Sequence, residues 1–85
     1  MNIKTLEKKL QELGIRDSYY SLYGELKSDS IILCHNYYIW EVFYFDERGG
    51  RHPMGIFENE VDACYFIFKE LEDTVNWARD KNINL

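Results

Sequence analysis

Two histidines and two cysteines are the residues of this 85-residue chain best suited to nucleophilic or metal-assisted chemistry. His35 and His52 fall in different β-rich runs, with no histidine pair at i, i+4 and no cysteine at zinc spacing, so no metal site is expected. Cys34 adjoins His35, but neighbours along a strand point to opposite faces, which separates the thiol from the imidazole. Cys34 is therefore expected to fill the core and His35 to lie at the surface or in a turn. Glu58 with Asp62, and Glu72 with Asp73, pair carboxylates, yet acid–base work on a glycosidic bond needs two carboxylates across a cleft with separated pKa values. Helix capping and a solvated helix face account for them instead. In Glu47-Arg48-Gly49-Gly50-Arg51 the glycines expose amides and the arginines bind anions, but no Walker lysine follows. A Gly-Gly between two strands is what a hairpin loop requires for positive φ. One functional role remains for Arg48 or Arg51, a bidentate contact with a partner's carboxylate; the alternative is a loop arginine in water or paired with Asp46. No catalytic residue, cofactor or metal ligand is expected, and the chain reads as a non-enzyme.

Composition points elsewhere. Aromatic residues make up 16% of the chain, with seven Tyr, five Phe and two Trp. A small core absorbs Trp40, Tyr44, Phe57, Phe66 and Phe68. Some of Tyr19, Tyr20, Tyr23, Tyr37, Tyr38, Phe43, Phe45, Tyr65 and Trp77 must then be at the surface, where Tyr and Trp concentrate in interface hot spots. The net charge of −5 opposes direct nucleic-acid binding, and it is unevenly spread: +2 over residues 1–16, −3 over 17–56 and −4 over 57–85. An acidic C-terminal part suits either solubility or a basic partner. No apolar run approaches the ~20 residues that span a bilayer, and the opening residues lack the apolar stretch of a signal peptide. A cytoplasmic location with both thiols reduced is expected.

The elements that must position these residues follow from periodicity. Ile3, Leu6, Leu10 and Leu13 mark an amphipathic helix that Gly14 stops, with Ile15 folding back on its last turn. Ser21 to Leu26 is expected as a short strand bent at Gly24, residues 27–30 as a turn, and Ile31 to His35 as a strand. Asn36 and Tyr37 make the next connection. Tyr38 to Phe45 is the clearest strand, with Tyr38, Trp40, Val42 and Tyr44 on one face and Ile39, Glu41, Phe43 and Phe45 on the other. Residues 46–50 form a hairpin loop, and Arg51 to Phe57 returns antiparallel, with Pro53 marking a short or edge strand. Asn59 is expected to cap a second helix, through Asp62 three residues on, that runs to about Arg79 or Asp80. Its apolar stripe is Val61, Cys64, Phe68, Leu71, Val75 and Ala78, flanked by Ala63, Ile67 and Trp77, and Lys81 to Leu85 are expected to fray. The result is a single α+β domain over residues 1–85: a two-layer structure of three or four antiparallel strands between an N-terminal and a C-terminal helix, in the order α-β-β-β-β-α.

Two stretches also resemble a known family. Leu6 to Ile15, closing in Glu12-Leu13-Gly14-Ile15, leads into Asp17-Ser18-Tyr19-Tyr20-Ser21-Leu22. Later, Trp40-Glu41-Val42-Phe43-Tyr44 is followed by Glu47-Arg48-Gly49, then Phe57-Glu58-Asn59-Glu60 and Ala63-Cys64-Tyr65-Phe66. Together these resemble small bacterial immunity proteins of polymorphic and contact-dependent-inhibition toxin systems, over most of the chain from about Leu6 to Leu71. The second glycine, Gly50, lengthens the loop relative to that pattern, and Glu60-Val61-Asp62-Ala63-Cys64 departs mildly at the helix start. The resemblance implies a protein that binds its cognate toxin domain and blocks it; it carries no site residues over. With the acidic balance, it leads to the expectation of an immunity protein that neutralises a toxin domain such as a nuclease. Alternation alone leaves open which face of Tyr38 to Phe45 meets the helices; with Trp40, Val42 and Tyr44 inward, the partner surface is expected on the helix-free sheet face and hairpin, at Glu41, Phe43, Phe45, Glu47 and Arg48, with Phe43 and Phe45 partly exposed. The alternative is a homo-oligomeric interaction module, a homodimer for instance, that uses the same face or its edge without a toxin.

Overall fold

In the computed structural model, which describes residues 1–83, the chain begins with helix α1 (Ile3–Glu12). Asn2 caps it by accepting from the Thr5 amide at 2.8 Å, and Gly14 stops it at φ +78°. The Gly14 amide donates to Gln11 O and the Ile15 amide to Leu10 O, a Schellman closure that turns Ile15 into the core. A single 3₁₀ turn (Asp17–Tyr19) then leads into a four-stranded sheet, β1 (Tyr20–Ser21), β2 (Ser30–Asn36), β3 (Ile39–Phe45) and β4 (Arg51–Phe57), in that spatial order. Helix α2 (Glu60–Asp80) completes the α-β-β-β-β-α domain. Asn59 caps α2 by accepting from the Asp62 amide at 2.9 Å, and the Glu60 carboxylate accepts from the Ile3 amide at 2.8 Å. One acidic residue thereby satisfies the exposed amide end of the other helix.

Both helices pack on one side of the sheet. Leu6 and Leu10 of α1 and Cys64, Ile67 and Leu71 of α2 close over Leu33 and Val42. The opposite side of β2, β3 and β4 carries no helix.

Five expectations are corrected. The sheet is mixed, because β1 pairs with β2 in parallel, Tyr20 opposite Ile31 and Ser21 opposite Ile32. Residues 22–26 do not continue the strand: with only two paired residues to place, a short excursion through Gly24 (φ +83°) and Asp29 (φ +57°) brings the chain back, and the Ser30 hydroxyl donates to Ser18 O at 2.7 Å. The β2–β3 turn is Tyr37-Tyr38, so Tyr38 leaves the strand and both rings stand out at over 90% or close to it, 94% and 90% exposed. On α2 the buried residues are Ala63, Cys64, Ile67, Leu71, Val75 and Ala78, whereas Val61 and Trp77 are exposed. The helix crosses the sheet on a stripe rotated toward Ala63 and Ile67, where small residues allow close approach. Lys81 to Ile83 do not fray: Ile83 N donates to Ala78 O at 2.7 Å and Asn82 N to Arg79 O, with Asn82 at φ +56°, a second Schellman closure. The remainder of that expectation, Asn84 and Leu85, lies outside the described residues.

The aromatic core also differs from the expected set. Trp40, Phe57, Phe66 and Phe68 pack only partly against the core, and Tyr44 is half-buried. Tyr20 and Phe43 are the buried rings. Tyr20 lies at the paired edge of β1 beneath α1, and Phe43 is covered on the face without helices.

Candidate functional site

Register decides which side chains share the helix-free face. Cross-strand pairs Ile32–Phe43, Cys34–Glu41 and Asn36–Ile39 join β2 to β3, while Glu41–Ile56, Phe43–Pro53 and Phe45–Arg51 join β3 to β4. Cross-strand partners point to the same side, so three of the sequence-derived residues, Glu41, Phe43 and Phe45, lie together here. A bulge at Val42/Phe43 gives β4 one extra residue, Met54, and lets Pro53 sit in the outer strand where its missing N–H costs no ladder bond.

Phe43 is only 4% exposed, against the expectation of an open ring. The Arg51 guanidinium lies 4.9 Å above the ring centroid, and Ile32, directly across, is fully buried. Phe43 and Ile32 thus form a small second core on the open face, roofed by the arginine stem. Phe45 is half-buried, its ring end 4.0 Å from where a Cβ on Gly49 would stand. Around this apolar centre Glu41 accepts from Asn36 Nδ2 at 2.9 Å, and the Cys34 thiol donates to Asn36 Oδ1 at 3.6 Å. Cys34 is therefore half-buried on the sheet surface and does not fill the main core. Ile56 is largely exposed beside Glu41.

Glu47 and Arg48 lie beyond the Phe45 end, at the exposed tip of the β3–β4 hairpin. Asp46 organises that loop. Its carboxylate accepts from the Arg48 amide at 2.9 Å and the Gly50 amide at 2.7 Å, and His52 Nε2 lies 2.7 Å from the other oxygen. The bond with His52, followed by that from Gly50, holds the Asp46 carboxyl below its ordinary value. Only Gly49 has positive φ, at +83°; Gly50 is required for a different reason, since a Cβ there would stand 2.6 Å from Asp46 Oδ2. Asp46 pairs with His52 and with neither arginine, so Arg48 is free of that partner and Arg51 is committed to Phe43.

The groups considered for chemistry are dispersed. His35 is exposed on the helix side, stacked flat on Trp40 with centroids 3.9 Å apart, while Cys34 points to the opposite face. Cys64 is buried under α2, and burial, then the charge of Glu60, pushes its thiol up to about 11. Among the described residues no group of three or more His, Cys, Asp or Glu is placed to hold a metal ion. None of the described helices is long and apolar enough to cross a membrane.

Sequence reasoning placed Ile39 on this face but did not find Arg51, Cys34 and Ile56 as neighbours of the predicted surface. The alternation of β2 and β4 carried a signal for them, but their register against β3 is a tertiary property, and for Ile56 it depends on the bulge, which no local residue type announces. No known protein family, curated protein or solved structure matches the chain.

Proposed function

We propose that this protein is a non-enzymatic immunity protein that binds and neutralises a cognate toxin domain, using the helix-free sheet face and the β3–β4 hairpin. The observation that carries the reading is the face itself: half-buried Phe45 and largely exposed Ile56 share it with Glu41, which Asn36 fixes, over the buried Ile32–Phe43 pair and next to a loop whose conformation is set before any partner arrives. Interfaces centre on apolar and aromatic side chains that the partner buries inside a polar rim, and a loop already ordered spares the partner the entropy of ordering it. The family resemblance and the net charge of −5 add the class of partner, a basic toxin such as a nuclease, toward which electrostatic steering raises the association rate.

Co-expression tests the proposal. The toxin domain encoded beside this gene is expected to co-purify with the chain and to lose its growth inhibition; no complex and no rescue of growth would refute it. Sedimentation of the chain alone addresses the homo-oligomeric alternative: a concentration-independent dimer that protects Cys34 from alkylation, with no toxin bound, favours that module.

The size of the face adds a constraint. Three seven-residue strands at ~3.4 Å per residue and ~4.8 Å spacing give roughly 340 Å², against about 800 Å² per partner in a standard interface. A stable complex must extend past the sheet edge or around the hairpin.

A further inference from the structure

Around that hairpin, on the helix side, a cleft of about 410 Å³ opens between the sheet and the second half of α2. Ile31 and Leu71 form its floor, Tyr19 and Tyr44 its walls, and Asp29 and Glu70 its rim; no lysine or arginine lines it. His52 also lines the cleft and is the residue that Asp46 holds at 2.7 Å, so cleft and hairpin loop are joined by one contact. The rim is fixed in part. The Tyr44 hydroxyl donates to Asp29 Oδ1 at 2.9 Å, which orients the carboxylate and leaves Oδ2 for another donor. Asp29 sits at φ +57°, a backbone region that Asp and Asn tolerate better than most residues. Glu70 approaches from α2, on the other side of the opening. The local potential is negative: the Tyr44 phenol is pushed above its ordinary value first by the Asp29 bond, then by burial and by the charges of Asp29, Asp46 and Glu47.

An apolar floor, aromatic walls and carboxylates at the rim match a side chain with an aliphatic stem and a cationic head. Arginine fits better than lysine, since its planar guanidinium stacks on tyrosine and has donors for two carboxylates at once. We propose that this cleft receives an arginine side chain of the basic partner protein, a contact that takes the interface around the hairpin from the sheet face. The inference rests on the proposed toxin-binding role for the source of the arginine, and on the cleft alone for its chemistry.

The probe is N-acetyl-argininamide, with its neutral isostere N-acetyl-citrullinamide as control, titrated into the full chain and followed by backbone amide shifts. The arginine probe is expected to bind with a Kd on the order of 10 mM, shifting Asp29 to Ile31, Tyr44 and Leu71 to Thr74, and the citrulline probe at least about fivefold more weakly. Asp29→Asn and Glu70→Gln preserve the turn and the exposed helix position, and each is expected to reduce the preference for the arginine probe toward unity. Equal affinity for both probes, shifts confined to other surfaces, or unchanged preference in both variants would overturn the inference. The toxin complex separates this from the reading on which it rests. There each variant is expected to weaken binding about tenfold; wild-type binding that both variants leave intact sinks the cleft and spares the proposed function.

Discussion

Replacing Phe43 by alanine tests whether an aromatic residue on a helix-free face is a structural element before it is a contact. The ring is 4% exposed, lies opposite the fully buried Ile32 and is covered by Arg51 at 4.9 Å. Truncating a buried Phe costs about 3–5 kcal/mol when the surroundings leave a cavity. Here the void opens to water, so the cavity part is smaller, while the cation–π contact of about 0.5–1 kcal/mol is lost with the ring. The sum is about 3 kcal/mol, a large fraction of the ~4–13 kcal/mol total expected for a chain of 85 residues. In urea, with m near ~1 kcal/mol/M for a small protein, the midpoint should fall by about 3 M at unchanged m. Arg51→Ala in the same assay should cost no more than about 1 kcal/mol. A loss below about 1 kcal/mol for Phe43→Ala would refute the second small core. Phe43 would then be a ring free to enter a partner, and affinity would come from it rather than from Phe45 and the hairpin.

Other expectations follow from single contacts. Gly50→Ala should destabilise the hairpin by about 1 kcal/mol through the approach of its Cβ to Asp46, and the penalty should vanish in an Asp46→Ala background, which a double-mutant cycle reads directly. Because the folded pKa of Asp46 is depressed, its contribution to stability is complete above the unfolded value near ~3.9 and disappears as pH falls through the folded pKa. Asp46→Asn should therefore flatten the loss of stability with acid below about pH 4, and thermal melts across that range will show it. Asn59→Ala removes the cap of α2 and should cost about 1 kcal/mol by chemical denaturation. Iodoacetamide should modify Cys34 in the free protein and spare Cys64, whose thiol is buried and pushed up to about 11; in the toxin complex Cys34 should be protected as well, and continued labelling there would move the interface off the sheet face.

Much of the architecture is legible from local patterns, because helix stops, caps and strand alternation depend on residues a few positions apart. Gly14 with Ile15 and Asn59 with Asp62 act as their spacing implies, and the two faces of β3 separate as its alternation requires. The candidate surface is legible to the same depth: Glu41, Phe43 and Phe45 share a face, and Glu47 and Arg48 share the loop beyond it. Exposure is not legible in that way. Phe43 and Phe45 occupy equivalent positions of one alternating run, yet only Phe43 has Ile32 across from it and Arg51 above it. Trp77 and Ile67 both satisfy an apolar helical pattern, and the crossing of α2 over the sheet covers one and leaves the other in water.

The sequence by itself therefore determined the element order, the helix boundaries and the faces of β3, all consequences of 2.0- and 3.6-residue periods and of residues with special backbone freedom. Tertiary structure alone decided the parallel pairing of β1, the burial of Phe43 on the face without helices, and the cleft that brings Asp29 and Tyr44 opposite Glu70. Each of these depends on groups 8 to 41 positions apart in the chain. Their proximity is set by strand register, a bulge and a helix crossing angle, which are properties of the packed whole.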